Sequence, residues 1–195
     1  MPAQSLQVLS ELTKSDFKQK QILSPLKKCV KKLSFTSSGD LSNLADLAYW
    51  LYVFGYHKEA LKVTQIIDPV PFAGNFNTWS RIENLLLLQV RILREQGNET
   101  GAAAARAKVL AAMQGHDEAF RRRLSFSWLS HDRIARYVSA GDTRNANISR
   151  FSDIKSLLFI RETGTNLKDL DNKKPDIEGA EQLIVEYCKI LSGKP

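Results

Sequence analysis

The sequence predicts an all-α protein: a stack of antiparallel helix pairs, preceded by an N-terminal helical extension and closed by a C-terminal capping helix. Three observations predict it. Only ten glycines and six prolines occur in 195 residues, most of them between long runs of good helix formers, which argues against an all-β sandwich or barrel. Apolar residues recur at three- and four-residue intervals, the spacing of one helix face. A glycine that closes an apolar stripe returns at Gly55, Gly97 and Gly141. With 43% hydrophobic and 25% charged residues, the composition is that of an ordinary globular chain able to bury a core without metals or disulfides. One domain, 1–195, is expected, made of N-terminal helices (1–40), repeat-like helix pairs (41–160), and a C-terminal turn with its capping helix (161–195).

In chain order, Leu6, Leu9 and Leu12, then Phe17 and Leu23, give the first amphipathic stretch. Ser24-Pro25 restarts it, serine serving as N-cap and proline as the first helical residue of a helix with Leu26, Cys29, Val30 and Leu33 on one side and Lys27, Lys28, Lys31 and Lys32 on the other. Thr36 to Asp40 reads as a loop. Leu44, Leu47, Ala48 and Leu51 then form an apolar stripe ending at Gly55, and a second helix with Ala60, Val63 and Ile67 runs to Asp68-Pro69. The same relation of stripe, glycine and helix recurs in Leu86, Val90, Leu93, Gly97, Ala102 and Val109, and more weakly in Ile134, Tyr137, Gly141 and Ala146. Phe151, Ile154, Leu157, Leu158 and Phe159 mark another helix. Asp176 is placed to cap a last one, with Ala180, Leu183, Ile184, Tyr187 and Leu191 on one face.

The segment from Leu41 resembles a tetratricopeptide repeat. Counting Leu41 as the first position, leucine stands at the fourth, seventh and eleventh, alanine at the eighth, glycine at the fifteenth and Ala60 at the twentieth. The closing proline comes about three residues earlier than in that family, so the second helix is expected to be short. The resemblance spans roughly 41–160 and implies a right-handed α-solenoid whose extended surface binds other proteins. More loosely, Leu44–Trp79 looks like small all-helical bacterial immunity and antitoxin proteins, which implies one-to-one inhibition of a partner.

The net charge of +7 is unevenly spread. Residues 101–150 hold nine bases against four acids, mostly arginine, and residues 1–40 hold seven against three, all lysine. Arg121, Arg122, Arg123 and Arg133 stand among Trp128 and Tyr137, a mixture of guanidinium and aromatic groups suited to an acidic protein surface or to phosphate with base stacking. The bland alternative is a solvated basic face. Residues 69–79 place Phe72, Phe76 and Trp79 on a proline-bearing linker: either a rigid binding loop, or a plug in the seam between helix pairs with Asn77 or Thr78 capping the next helix.

Signals for chemistry are sparse. Cys29 and Cys188 are far apart and are read as reduced, buried thiols; His57, His116 and His131 have no partner at metal-ligand spacing. Ser130-His131-Asp132 carries the names of a catalytic triad, but consecutive helical residues point about 100° apart and cannot form its chain of hydrogen bonds. No phosphate-binding glycine loop, nucleophile elbow or zincin motif occurs. The expectation is a non-enzymatic protein-binding module with no cofactor and no metal, contacting an acidic partner through Arg121, Arg122, Arg123, Trp128, Arg133 and Tyr137, with Phe72, Phe76 and Trp79 as a second contact. Nucleic-acid binding through the basic clusters is the rival, and an enzyme with an unrecognised site the third reading. The N-terminal residues lack a secretory pattern and no window is apolar enough to span a bilayer, so a cytoplasmic protein with no membrane contact is expected.

Overall fold

A computed structural model describes residues 2–73, 75–114, 152–163 and 177–194, and among the described residues every regular element is a helix. The chain divides into two compact units, Met1–Ala105 and Arg106–Pro195.

In the first unit, α1 (Pro2–Thr13) buries Ser5, Leu9 and Leu12, an i, i+4, i+7 stripe. Leu6, expected on that face, lies one residue off it and is 49% exposed. Phe17 follows, buried edge-on against the Tyr56 ring at 4.9 Å.

Helix α2 (Lys20–Lys31) is continuous, with Pro25 inside it and Gln19 as its N-cap. Ser24-Pro25 therefore starts no helix. The proline sits on the buried stripe Ile22, Pro25, Leu26 and Cys29, where its ring packs as an apolar group, and the N–H it lacks removes the helical donor to the Gln21 carbonyl. Val30, expected on this stripe, is 100° beyond Cys29 around the helix and is exposed. Burial, with Asp40 and Asp46 adding to it, pushes the Cys29 thiol up to about 12, which leaves it an inert thiol. Cys188, expected to be buried, is only half buried.

Helix α3 (Ser38–Val53) is the centre of the unit, packing against α2, α4 (His57–Gln65) and α5 (Phe76–Glu95). It starts within the stretch expected to be loop. It buries Leu41, Leu44, Ala45, Leu47, Ala48, Tyr49, Leu51, Tyr52 and Val53, more than one face, because neighbours surround it. The expected stripe is part of that set, and its partner Ala60 on α4 is likewise fully buried. α4 also packs on α5, and α1 packs on both α2 and α4. As the early proline implied, α4 is short: nine residues, then a turn through Ile66 and Ile67 to Pro69.

Two of the expected glycine turns are described. Gly55 (φ +88°) follows α3: its N–H donates to the Tyr52 carbonyl and that of Tyr56 to the Leu51 carbonyl. Gly97 (φ +74°) repeats this after α5, with its own N–H on Arg94 and that of Asn98 on Leu93. Both are left-handed closures of the paired 5→2 and 6→1 kind, which satisfy the orphan carbonyls of a helix end. Nothing lies within 4 Å of where a Gly55 Cβ would stand, so only backbone strain opposes a side chain there. Gly55→Ala is expected to cost about 1 kcal/mol in denaturant unfolding and Gly55→Asn less, since asparagine tolerates the left-handed region. Gly141, with the third repeat-like unit, lies outside the described residues.

After Gly97, Asn98 caps α6 (Glu99–Gln114) by accepting from the Gly101 N–H. Ala102, Ala105 and Val109 form its buried side. In the second unit, α7 (Ser152–Thr163) buries Ile154, Leu157, Leu158 and Phe159, and α8 (Ile177–Ser192) packs on it with Ala180, Ile184, Tyr187 and Leu191. Leu183, expected on that face, is half buried. Arg161 and Glu181 bridge the two helices at 3.0 Å. Asp176 and its expected cap lie outside the described residues. No helix among the described residues is long and apolar enough to cross a membrane.

Candidate functional site

Of the nine residues singled out for partner binding, Arg121, Arg122, Arg123, Trp128, Arg133 and Tyr137 lie outside the described residues, as does Ser130-His131-Asp132. The other three frame the start of α5. Phe72 packs edge-on against Trp79 with ring centroids 5.0 Å apart; Trp79 is buried, and Phe72 and Phe76 remain half exposed. The cap is Asn75 rather than Asn77 or Thr78. Its Oδ1 accepts from both the Thr78 N–H at 3.1 Å and the Thr78 hydroxyl at 3.3 Å, because α5 begins earlier than expected and Thr78 becomes its third residue. The linker is thus anchored by Trp79 from beneath and offers one side of Phe72 and Phe76 to solvent.

A second arrangement went unseen in the sequence. At the end of the first unit that carries both glycine turns, one carboxylate gathers three helices. Glu95 Oε1, on α5, accepts from the Arg91 Nε–H at 2.6 Å and from the Tyr52 hydroxyl of α3 at 2.9 Å. Its Oε2 lies 3.6 Å from His57 Nδ1 on α4, and the His57 ring stacks on Tyr52 at 4.8 Å. Arg91 is buried, which by itself would lower its pKa; the Tyr52 oxygen and Glu95 reverse this and hold it above its ordinary value. Oε1 takes both hydrogen bonds from within the unit while Oε2 lies near the imidazole, so the cluster works as a clasp between helix ends. The readable signal was Arg91 and Glu95 at i, i+4 in an otherwise leucine-rich run; the contact with Tyr52, 43 residues away, had no local mark.

A cleft of about 370 Å³ opens between α1 and the end of α4. Its walls carry the amides of Gln4, Gln7 and Gln65, the apolar Val8, Ile66 and Pro69, and at the rim Glu11 and Lys62, 3.9 Å apart and both more than half exposed. Such a lining can form hydrogen bonds but holds no histidine or cysteine. No group of three or more His, Cys, Asp or Glu placed to hold a metal occurs among the described residues.

A family model matches residues 3–186, nearly the whole chain. The chain belongs to the family of unknown function DUF6707. No curated protein and no solved structure matches it. The DUF6707 match runs through the glycine turns, the clasp and the linker alike, so all of them lie within the family's extent.

Proposed function

We propose that this DUF6707 chain is a non-enzymatic protein-binding module built as a tetratricopeptide-like solenoid. The observation that carries the reading is the packing around α3, which touches both α4 and α5, while α4 also touches α5. In a solenoid the first helix of one pair lies against its own partner and against the first helix of the next pair, and stacking of that kind presents an extended surface. The matching closures at Gly55 and Gly97 support a repeated unit. The ring of contacts α1–α2–α3–α4–α1 fits an N-terminal extension that covers the open end of the first pair.

The binding surface is assigned to Arg121, Arg122, Arg123, Trp128, Arg133 and Tyr137, with the half-exposed Phe72 and Phe76 as a second contact. Arginine pairs bidentately with carboxylates and aromatics supply desolvated anchors, so the partner presents an acidic surface. An immunity- or antitoxin-type inhibitor fits this description. The test is titration of the partner co-purified from the native cells against two folded variants. Arg121, Arg122, Arg123→Glu is expected to weaken binding at least about 100-fold through like-charge juxtaposition, and Lys27, Lys28, Lys31→Glu to leave it unchanged. Loss in the lysine variant alone refutes the assignment.

A further inference from the structure

Outside the surface just assigned, charge concentrates on the first unit. Between Lys14 and Lys32 the chain carries seven lysines, no arginine and a single acid, Asp16. All seven lysines are exposed. On α2 the buried stripe Ile22, Pro25, Leu26 and Cys29 fixes the rotation of the helix, so Lys20, Lys27 and Lys31, at i, i+7 and i+11, fall on the opposite side with Lys28 beside them. None of these four ammonium groups has an ion-pair partner among the described residues. Two of them, Lys28 and Lys31, stand in the last turn, where the helix dipole favours cations; this explains their tolerance there but leaves Lys20 and Lys27 without a stabilising role.

We propose that this face of α2 is a sequence-independent docking surface for the phosphate backbone of double-stranded nucleic acid. Charge complementarity selects a polyanion, and the make-up of the face selects among polyanions. Protein interfaces are depleted of lysine and centre on aromatic or arginine anchors, whereas here four lysines accompany one exposed valine and no aromatic. A membrane-surface helix inserts its apolar side, and that side of α2 is buried in the core. Lysine is a mobile point charge that matches a row of phosphates without needing their exact orientation. From Lys20 to Lys31 the helix extends about 16 Å, a length of axis over which the two strands of a duplex together carry about nine charges, enough for four lysines. Binding here draws on counterion release and carries no base readout.

The proposal is separate from the protein-binding reading, and one experiment keeps the two distinguishable. A labelled DNA duplex of about 20 base pairs and mixed sequence is titrated with the full chain between about 50 and about 200 mM salt. The expected result is affinity that falls with salt at a log–log slope of about −3 to −4, four phosphates neutralised, and that is the same for an unrelated sequence of equal length. Lys20, Lys27, Lys28, Lys31→Gln should lose affinity at least about tenfold at the lower salt and flatten that slope, while Arg121, Arg122, Arg123→Gln should retain both. Glutamine keeps helix propensity and these side chains are exposed, so circular dichroism of the lysine variant should match the parent. No binding at about 50 mM salt, a slope unchanged in the lysine variant, or tighter binding to phosphatidylserine vesicles than to DNA each overturns it.

Discussion

Leu51→Ala is expected to destabilise the first unit by about 2–5 kcal/mol. Leu51 is fully buried on the helix that touches three others, and its carbonyl also accepts the Tyr56 N–H in the turn after α3. Truncation therefore opens a cavity whose walls belong to separate helices, each held by its own contacts, so the site cannot collapse cheaply. Two of the three tryptophans, Trp50 and Trp79, lie in this unit, and their fluorescence reports its urea unfolding. A loss under about 1 kcal/mol would show that α3 is not the centre of the core.

Where α3 was legible in the sequence, and where it was not, follows from that central position. Its end at Gly55 could be read, because an apolar run closed by glycine has one structural meaning whatever surrounds it, whereas its start at Ser38 lies within the stretch whose composition reads as loop. Its pairing with α4 could be read as well, but its packing against α2 could not, since a helix covered on several sides loses the one-faced periodicity that says where a further partner lies. Misreadings elsewhere have the same kind of cause. Leu6 and Val30 belong to core faces by hydrophobicity alone, yet each lies one residue off the stripe that tertiary packing selects. Ser24-Pro25 carries the local chemistry of a helix start, yet packing of Ile22 together with Pro25 and Leu26 draws the helix back to Lys20. For the candidate site, the linker's aromatics were visible because three in eight residues is unusual. The Glu95 clasp was not visible, because it joins residues from three helices whose proximity exists only in the fold.

Glu83 breaks the pattern of α5 most sharply, and its expected signature is a dependence of stability on pH. It stands in a run of buried residues one turn after Trp79, is itself only 2% exposed, and its Oε2 has no hydrogen-bond partner. Burial pushes its carboxyl well above the ordinary 4.5, so the fold favours the neutral form. In the unfolded chain it ionises near that ordinary value. At every pH between the two, unfolding releases a proton, the unfolded state binds fewer protons than the folded one, and stability falls as pH rises. The contribution is complete below about 4.5 and is lost progressively as pH climbs toward the folded value, at up to about 1.4 kcal/mol per pH unit. Glu83→Gln keeps the shape and removes the titrating proton, so the stability difference between variant and parent should grow in favour of glutamine as pH rises above ~4.5, at up to about 1.4 kcal/mol per unit. Urea unfolding followed by tryptophan fluorescence at each pH measures it. Glu83→Met also removes the orphan oxygen and should exceed the parent at pH ~7 by about 2 kcal/mol, since exchanging an unpartnered buried polar group for an apolar one of similar volume recovers its desolvation cost. A difference that stays flat as pH rises above ~4.5 would mean that the carboxyl ionises as readily in the fold as in the unfolded chain, and would refute the assignment.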